Sequence, residues 1–229
     1  TQRVMWYLGK ELNKRGHKVT FIAGKGSSCP FAKVIELDPS VNLNTQIPTD
    51  ADIVHFNIPV PEGITKPHLL TIHGNGIPAN ADRNIVFVSR NHAQRLGSES
   101  FVYNGLDWDD YGPANLNLSR KNYHFLGKAA WKVKNIKGAI AVVQSIKNAQ
   151  LDVLGGYRLN LKMGFRFTWN PRIHFHGMVD DSKKKVIIEQ SKGLIFPVTW
   201  HEPFGLAITE SLYFGAPVFG TPYGALPEL

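Results

Sequence analysis

Cysteine is almost absent from this chain: Cys29 is the only one. No disulfide can form within it and no cysteine-based metal site can be built. A reducing cytoplasm fits that usage. Long apolar runs are missing too, and nothing approaches the roughly 18 consecutive apolar residues of a membrane span. No leader peptide is visible, although the chain opens on Thr1. Acidic residues are scarce, 18 against 26 Lys plus Arg, for a net charge of +8. That balance favours anionic partners such as nucleotide diphosphates or an anionic lipid surface. No basic stripe interleaved with aromatics stands out, which argues against a nucleic-acid binder. Other signals fail as well. Gly24-Lys25-Gly26 lacks the third glycine of a dinucleotide loop, and no Gly-Lys pair precedes Ser or Thr as a P-loop requires. His55, His73 and His92 lack metal-ligand spacing. There is no solenoid-length repeat and no low-complexity segment.

What is present is a 229-residue chain, 43% hydrophobic, with ample material for a core. Continuous apolar runs read as strands buried on both faces. They are Val19–Ala23, Ile53–Phe56, Leu69–His73, Ile85–Ser89 and Phe101–Tyr103, then His124–Gly127, Leu151–Leu154, Ile173–Phe175, Leu194–Pro197 and Pro217–Gly220. Helical patterns lie between several of them. Val4, Leu8 and Leu12 form a stripe, and Ser89 can cap a helix from Arg90 to Leu96. Further helices are expected over Gly138–Gln150, Lys183–Gln190 and Leu206–Phe214, with the basic run Lys183–Lys185 on a solvated helix start. Strands separated by helices imply parallel sheets. Gly112–Ser119 reads as a linker, dividing residues 1–113 from 114–229. Two doubly wound α/β domains with a cleft between them follow, with ligands at the carboxyl ends of the strands. The first element reads as a helix and the last ends in a turn, so segments are expected to be missing at both ends.

The most informative stretch runs from Thr199-Trp200-His201-Glu202-Pro203-Phe204-Gly205-Leu206 to Glu210. It leaves an apolar strand and opens a helix. A helix start exposes unpaired N–H groups, and Gly205 lets a ligand approach the backbone. Glu202 would lie in the loop and Glu210 about one turn inside the helix. Acidic residues favouring the macrodipole would explain Glu202. They do not explain Glu210, which is set among apolar neighbours and needs a partner.

This stretch resembles the Glu-x7-Glu signature of retaining glycosyltransferases with the GT-B fold, specifically glycosyltransferase family 4 (group 1). The likeness runs in order along nearly the whole chain. Arg15-Gly16-His17-Lys18-Val19-Thr20, Asp52-Ile53-Val54-His55 and Thr71-Ile72-His73-Gly74 resemble successive family segments in the first half. Val88-Ser89 and Asn104-Gly105-Leu106-Asp107 follow. Leu126-Gly127-Lys128, Lys137-Gly138, Pro217-Val218 and Gly224-Ala225-Leu226-Pro227-Glu228 resemble segments of the second half.

The resemblance implies two Rossmann-like domains facing a cleft, residues 1–113 on the acceptor side and 114–229 holding the nucleotide sugar. Lys128 and Lys137 would grip the donor diphosphate, although from spacing alone both read as surface lysines. Lys128 stands where the family usually has Arg, so a bidentate clamp becomes a point charge. Glu210 would bind the ribose hydroxyls. Glu202 would face the donor sugar, with the amides of Phe204, Gly205 and Leu206 nearby. His73 would lie across the cleft, close to sugar and phosphate. Gly224 would help close the donor pocket, and the backbone at Gly177-Met178 would meet the base. No cofactor and no bound metal are implied.

The activity so implied is transfer of a sugar from a nucleotide-diphosphate donor to a saccharide or lipid-linked acceptor, with retention. The cell-envelope saccharides are one acceptor class. A cytoplasmic place, with peripheral contact at the inner face of a membrane, fits the charge. The rival readings are a non-catalytic nucleotide-sugar-binding module and, behind it, a sugar-nucleotide epimerase of the same fold.

Overall fold

A computed structural model describes residues 2–79, 81, 83–161 and 163–229. The chain divides into two compact units, Thr1–Asp107 and Trp108–Leu229. The Gly112–Ser119 stretch therefore lies within the second unit, not between the two.

The first unit opens with α1 (Gln2–Lys14), β1 (Thr20–Ala23) and β2 (Lys33–Glu36), the strands pairing in parallel. The stripe is only partly covered: Val4 and Leu12 are half-buried and Leu8 is exposed, while Gly9 is buried against the Phe21 ring. Trp6 instead contacts Phe21 and Phe31 with its ring, so aromatic contacts seat the helix. A single turn, α2 (Leu43–Gln46), precedes a parallel sheet of β3 (Val54–Phe56), β4 (His68–Ile72) and β5 (Ile85–Phe87). Phe56, Leu70, Ile72, Phe87 and Ala93 form its core. α3 (Arg90–Arg95) starts at Ser89, whose hydroxyl accepts from the His92 amide, as the capping signal predicts. The run Phe101–Tyr103 does not become a strand; Phe101 only bridges to Phe87.

The second unit opens with α4 (Trp108–Tyr111), where Trp108 stacks on Tyr213 with ring centroids 4.3 Å apart. Its main sheet is built from β6 (Asn122–Leu126), β7 (Leu151–Leu154), β10 (Ile173–Phe175), β11 (Ser191–Phe196) and β12 (Val218–Gly220). A small antiparallel ribbon, β8 (Leu159–Asn160) and β9 (Arg166–Phe167), interrupts the series. The helices are α5 (Ile136–Ser145), α6 (Asp181–Glu189) and α7 (Leu206–Tyr213). The five main strands are parallel, in the order β10-β7-β6-β11-β12.

That order carries the functional geometry. From β6 the chain steps to β7 and β10 on one side, then returns to lay β11 and β12 on the other. The direction of winding reverses between β6 and β11, the point at which sheets wound in this way take ligands at the carboxyl ends of their strands. The strands are rich in β-branched and aromatic side chains, buried on both faces. Phe125, Val143, Leu151, Val153 and Ile173 pack one side of the core, and Leu194, Phe196, Val198 and Ile208 the other. At the centre, His124 of β6 bonds Ser191 of β11 and Ser211 of α7. Complete burial pushes its pKa down to about 3, so the imidazole is a neutral tie.

Candidate functional site

The loop after β6 carries Lys128, Trp131 and Lys134, and ends at α5. Asn135 caps this helix, its side chain accepting from the Gly138 amide and donating to the Pro197 carbonyl. The cap starts the helix at Ile136, two residues before the sequence reading placed it. This shift changes which lysine meets the site. Lys134, not Lys137, stands immediately before the helix.

Facing it is the loop after β11. The Thr199 amide donates to the Val133 carbonyl at 2.9 Å, pinning the two loops together. Glu202 is buried and accepts from Lys134 Nζ and, at 2.8 Å, from Trp200 Nε1. The Lys134 ammonium also lies 5.0 Å from the Trp200 ring centroid and 5.3 Å from that of Phe196. Lys128 sits over Trp131 at 5.4 Å, and Trp131 meets Trp200 edge-on. Lys128, Trp131, Trp200, Glu202 and Lys134 thus form one connected cluster at the winding reversal.

Lys137 is placed elsewhere. It is exposed on α5 and lines a shallow depression with Gln144, Arg166, Phe167 and Trp169. The sequence reading set Lys137 with Lys128 on the donor diphosphate; in the structure the lysine that contacts Glu202 is Lys134. The signal for Lys134 was in the sequence: an Asn directly after it, at a helix start.

Phe204 is buried beneath the loop, and Gly205 takes φ 104° at the N-cap of α7, a conformation open to glycine. Among the described residues no side chain caps this helix. Its first turn, from Leu206, therefore presents backbone N–H groups and the positive end of the dipole. Gly224 braces the loop from β12. Glu202 and Gly224 form a parallel bridge, and Ala225 N donates to the Glu202 carbonyl at 2.9 Å. Gly224 has φ 66°, and a Cβ there would collide with the Glu202 backbone.

Glu210, inside α7, has the partners its apolar surroundings demanded. Its carboxylate accepts from the Tyr111 hydroxyl and from Lys184 Nζ. Lys184 is buried and bonds Asp181 as well, so the basic run on α6 is not wholly solvated as expected. Met178 is exposed just after β10, and Gly177 bridges to Gly156 after β7. The site residues of this unit divide into Lys134 with Glu202, and Lys184 with Glu210. The sequence reading missed Lys184, because nothing local marks a lysine that turns inward.

In the first unit, His73 follows β4. Its Nε2–H donates to Asn57 Oδ1 at 2.8 Å. Burial, with the nearby His55 and His92 adding repulsion, lowers its pKa to about 4. The ring is therefore neutral near pH 7. His92, buried on α3, donates to the Gly74 carbonyl at 2.8 Å and steadies the turn beside His73.

No helix of the described residues is long and apolar enough to cross a membrane. No curated protein matches the chain. Residues 120–229 match the family model of group 1 glycosyl transferases. Among solved structures, AviGT4, a glycosyltransferase involved in avilamycin A biosynthesis, is similar at 18% identity. That match has a TM-score of 0.77 and covers 99% of this chain and 71% of that one. Sucrose-phosphate synthase from Thermosynechococcus elongatus matches at 16% identity and TM-score 0.69, over 96% and 75% of the two chains. HepE from Anabaena, solved in complex with UDP-glucose, matches at 17% identity and TM-score 0.56, over 71% and 55%. The chain thus has the α/β fold of these GT-B glycosyltransferases, and its second unit carries the sequence pattern of group 1 glycosyl transferases.

Proposed function

We propose that this protein transfers a sugar from a nucleoside-diphosphate donor to a saccharide or lipid-linked acceptor, with retention of anomeric configuration. One observation carries the reading. Lys134 and Glu202 face each other at the β6/β11 winding reversal, beside the uncapped first turn of α7. A cation, a carboxylate and the backbone amides of a helix start converge there at the carboxyl ends of parallel strands. The UDP-glucose complex of HepE supports the donor class.

In this reading Lys134 and Lys128 hold the diphosphate, and the α7 amides take part of its charge. The acceptor oxygen bonds to the anomeric carbon on the face from which the diphosphate leaves. The carbon–oxygen bond to phosphate breaks with its electron pair on the leaving group. The leaving phosphate oxygen takes the acceptor's proton, so no strong protein base is required. Lysine charge supplies what a divalent cation would otherwise supply. Glu202 orients the donor sugar while Trp200 fixes its carboxylate. Glu210 addresses the ribose, held in place by Lys184 and Tyr111. Gly177 and Met178 border the base. His73 serves as a neutral hydrogen-bonding group. The gain comes from positioning and from charge stabilisation on the departing group.

Calorimetry with UDP, ADP and GDP, paired with a transfer assay, tests this. The wild-type chain should bind one of them, and Lys134→Ala should weaken that binding and abolish transfer. Equal nucleotide affinity in wild type and variant would overturn the assignment. Binding without any transfer would leave a nucleotide-sugar-binding module instead of an enzyme.

A further inference from the structure

Residues 157–169 alternate strictly. Every odd position is apolar or aromatic, and every even position is basic, polar or glycine. Such a pattern makes a ribbon with two unlike faces. The ribbon forms here, with Leu159 opposite Phe167 and Asn160 opposite Arg166. A strand pair on a protein surface ordinarily turns its apolar face inward. This one does the reverse. Trp169 is 84% exposed, Phe165 73%, Leu161 71% and Met163 55%.

The arginines explain why. Arg158 donates to the carbonyls of Thr168, Asn170 and Ile173. Arg166 is buried, donates to the Tyr157 carbonyl and Thr168 hydroxyl, and lies 4.9 Å from the Phe175 ring centroid. Five hydrogen bonds lock the polar face down, so the apolar face must point out.

Charge along this stretch of the chain is one-sided. Between Tyr111 and Val179 stand eleven Lys and Arg residues and a single acid, Asp152, which His176 engages. Lys132 lies beside the turn at Gly164, and Lys137 borders the depression next to Phe167 and Trp169.

We infer that this ribbon is a membrane-docking surface, seating its outward side chains among the acyl chains of an anionic bilayer while the flanking lysines meet lipid phosphates. A large apolar patch within a cationic field is the chemistry that such an interface recognises. The other occupants fit less well. A symmetric contact with a second copy would set the same lysines against each other. A nucleic acid would need the arginines, and both are committed to the chain's own carbonyls. The inference stands apart from the donor site and does not depend on sugar transfer.

Co-sedimentation with vesicles decides it. Phosphatidylcholine vesicles are compared with vesicles in which roughly one lipid in three is phosphatidylglycerol, at low and high salt. The wild type should bind the anionic vesicles, less so at high salt. Leu161→Ser/Phe165→Ser should weaken partitioning about tenfold or more, because two exposed apolar side chains are lost from the bilayer. The thermal midpoint and nucleoside-diphosphate affinity should not change. Quenching of tryptophan emission by brominated lipid, diminished in Trp169→Phe, reads the same insertion with the ribbon intact. Equal vesicle binding by wild type and double variant, or none by either, overturns the proposal. So does a dimer that the double substitution dissolves, or single-stranded RNA binding that displaces vesicles.

Discussion

Replacing Lys134 by Met separates the two lysines that compete for the diphosphate role. The methionine keeps an apolar stem against Trp200 and Phe196 and deletes only the charge. Lys134 and Glu202 side chains are 14% and 11% exposed. Removing one partner of such a pair strands the other charge, at a cost of about 3–5 kcal/mol. Trp200 Nε1 still donates to Glu202. The expected loss is therefore near the lower end, about 3 kcal/mol. The double variant Lys134→Met/Glu202→Gln should recover about 2 kcal/mol of it, since no unpaired charge remains. Lys137→Met, on the exposed face of α5, should stay within about 0.5 kcal/mol of wild type. Urea titrations followed by fluorescence measure all three. Loss of a charge-assisted contact should also weaken nucleoside-diphosphate binding by about tenfold to a hundredfold for Lys134→Met. If Lys137→Met matched Lys134→Met in both stability and affinity, the reasoning from the Asn135 cap would be refuted.

Three further outcomes follow from the second unit. Gly224→Ala should cost about 2 kcal/mol or more, from the positive φ and the collision with the Glu202 backbone, and should depress nucleotide affinity with it; wild-type values for both in calorimetry would contradict the bracing role. Lys184→Met should destabilise by about 3 kcal/mol, with much of that returned by adding Glu210→Gln, as read in a double-mutant cycle. His124 has a folded-state pKa of about 3 against an ordinary 6.5, so between those pH values the unfolded chain binds more protons. Its contribution is complete above pH 6.5 and drains away as pH falls toward 3, on the order of 5 kcal/mol in all. Urea midpoints taken from pH 7 to pH 4 should fall steeply in wild type and less steeply in His124→Gln.

Strands such as Leu151–Leu154 and Ile173–Phe175 were legible in the residues, because a strand buried on both faces must be apolar throughout. The Ser89 cap was legible too, since capping is a local hydrogen bond between a hydroxyl and an amide three residues on. The β8–β9 pair was not read from the sequence, although residues 157–169 alternate, and the outward turn of its apolar side chains has no local signal. That depends on Arg158 and Arg166 finding carbonyls on neighbouring segments. The start of α5 was misjudged because Asn135 holds a left-handed conformation, stabilised by a bond to Pro197 sixty-two residues away.

Local chemistry alone determined the alternating strands and helices, the loop that ends in Gly205, and the acidic pair eight positions apart. Tertiary structure decided the partners. Lys134 rather than Lys137 reaches Glu202, and Lys184 turns inward to Glu210, because the order β10-β7-β6-β11-β12 brings distant loops and helices together. Spacing along the chain specifies which side chains share a face of one element. Which charges meet across elements depends on how the sheet is wound, and burial then makes those meetings count.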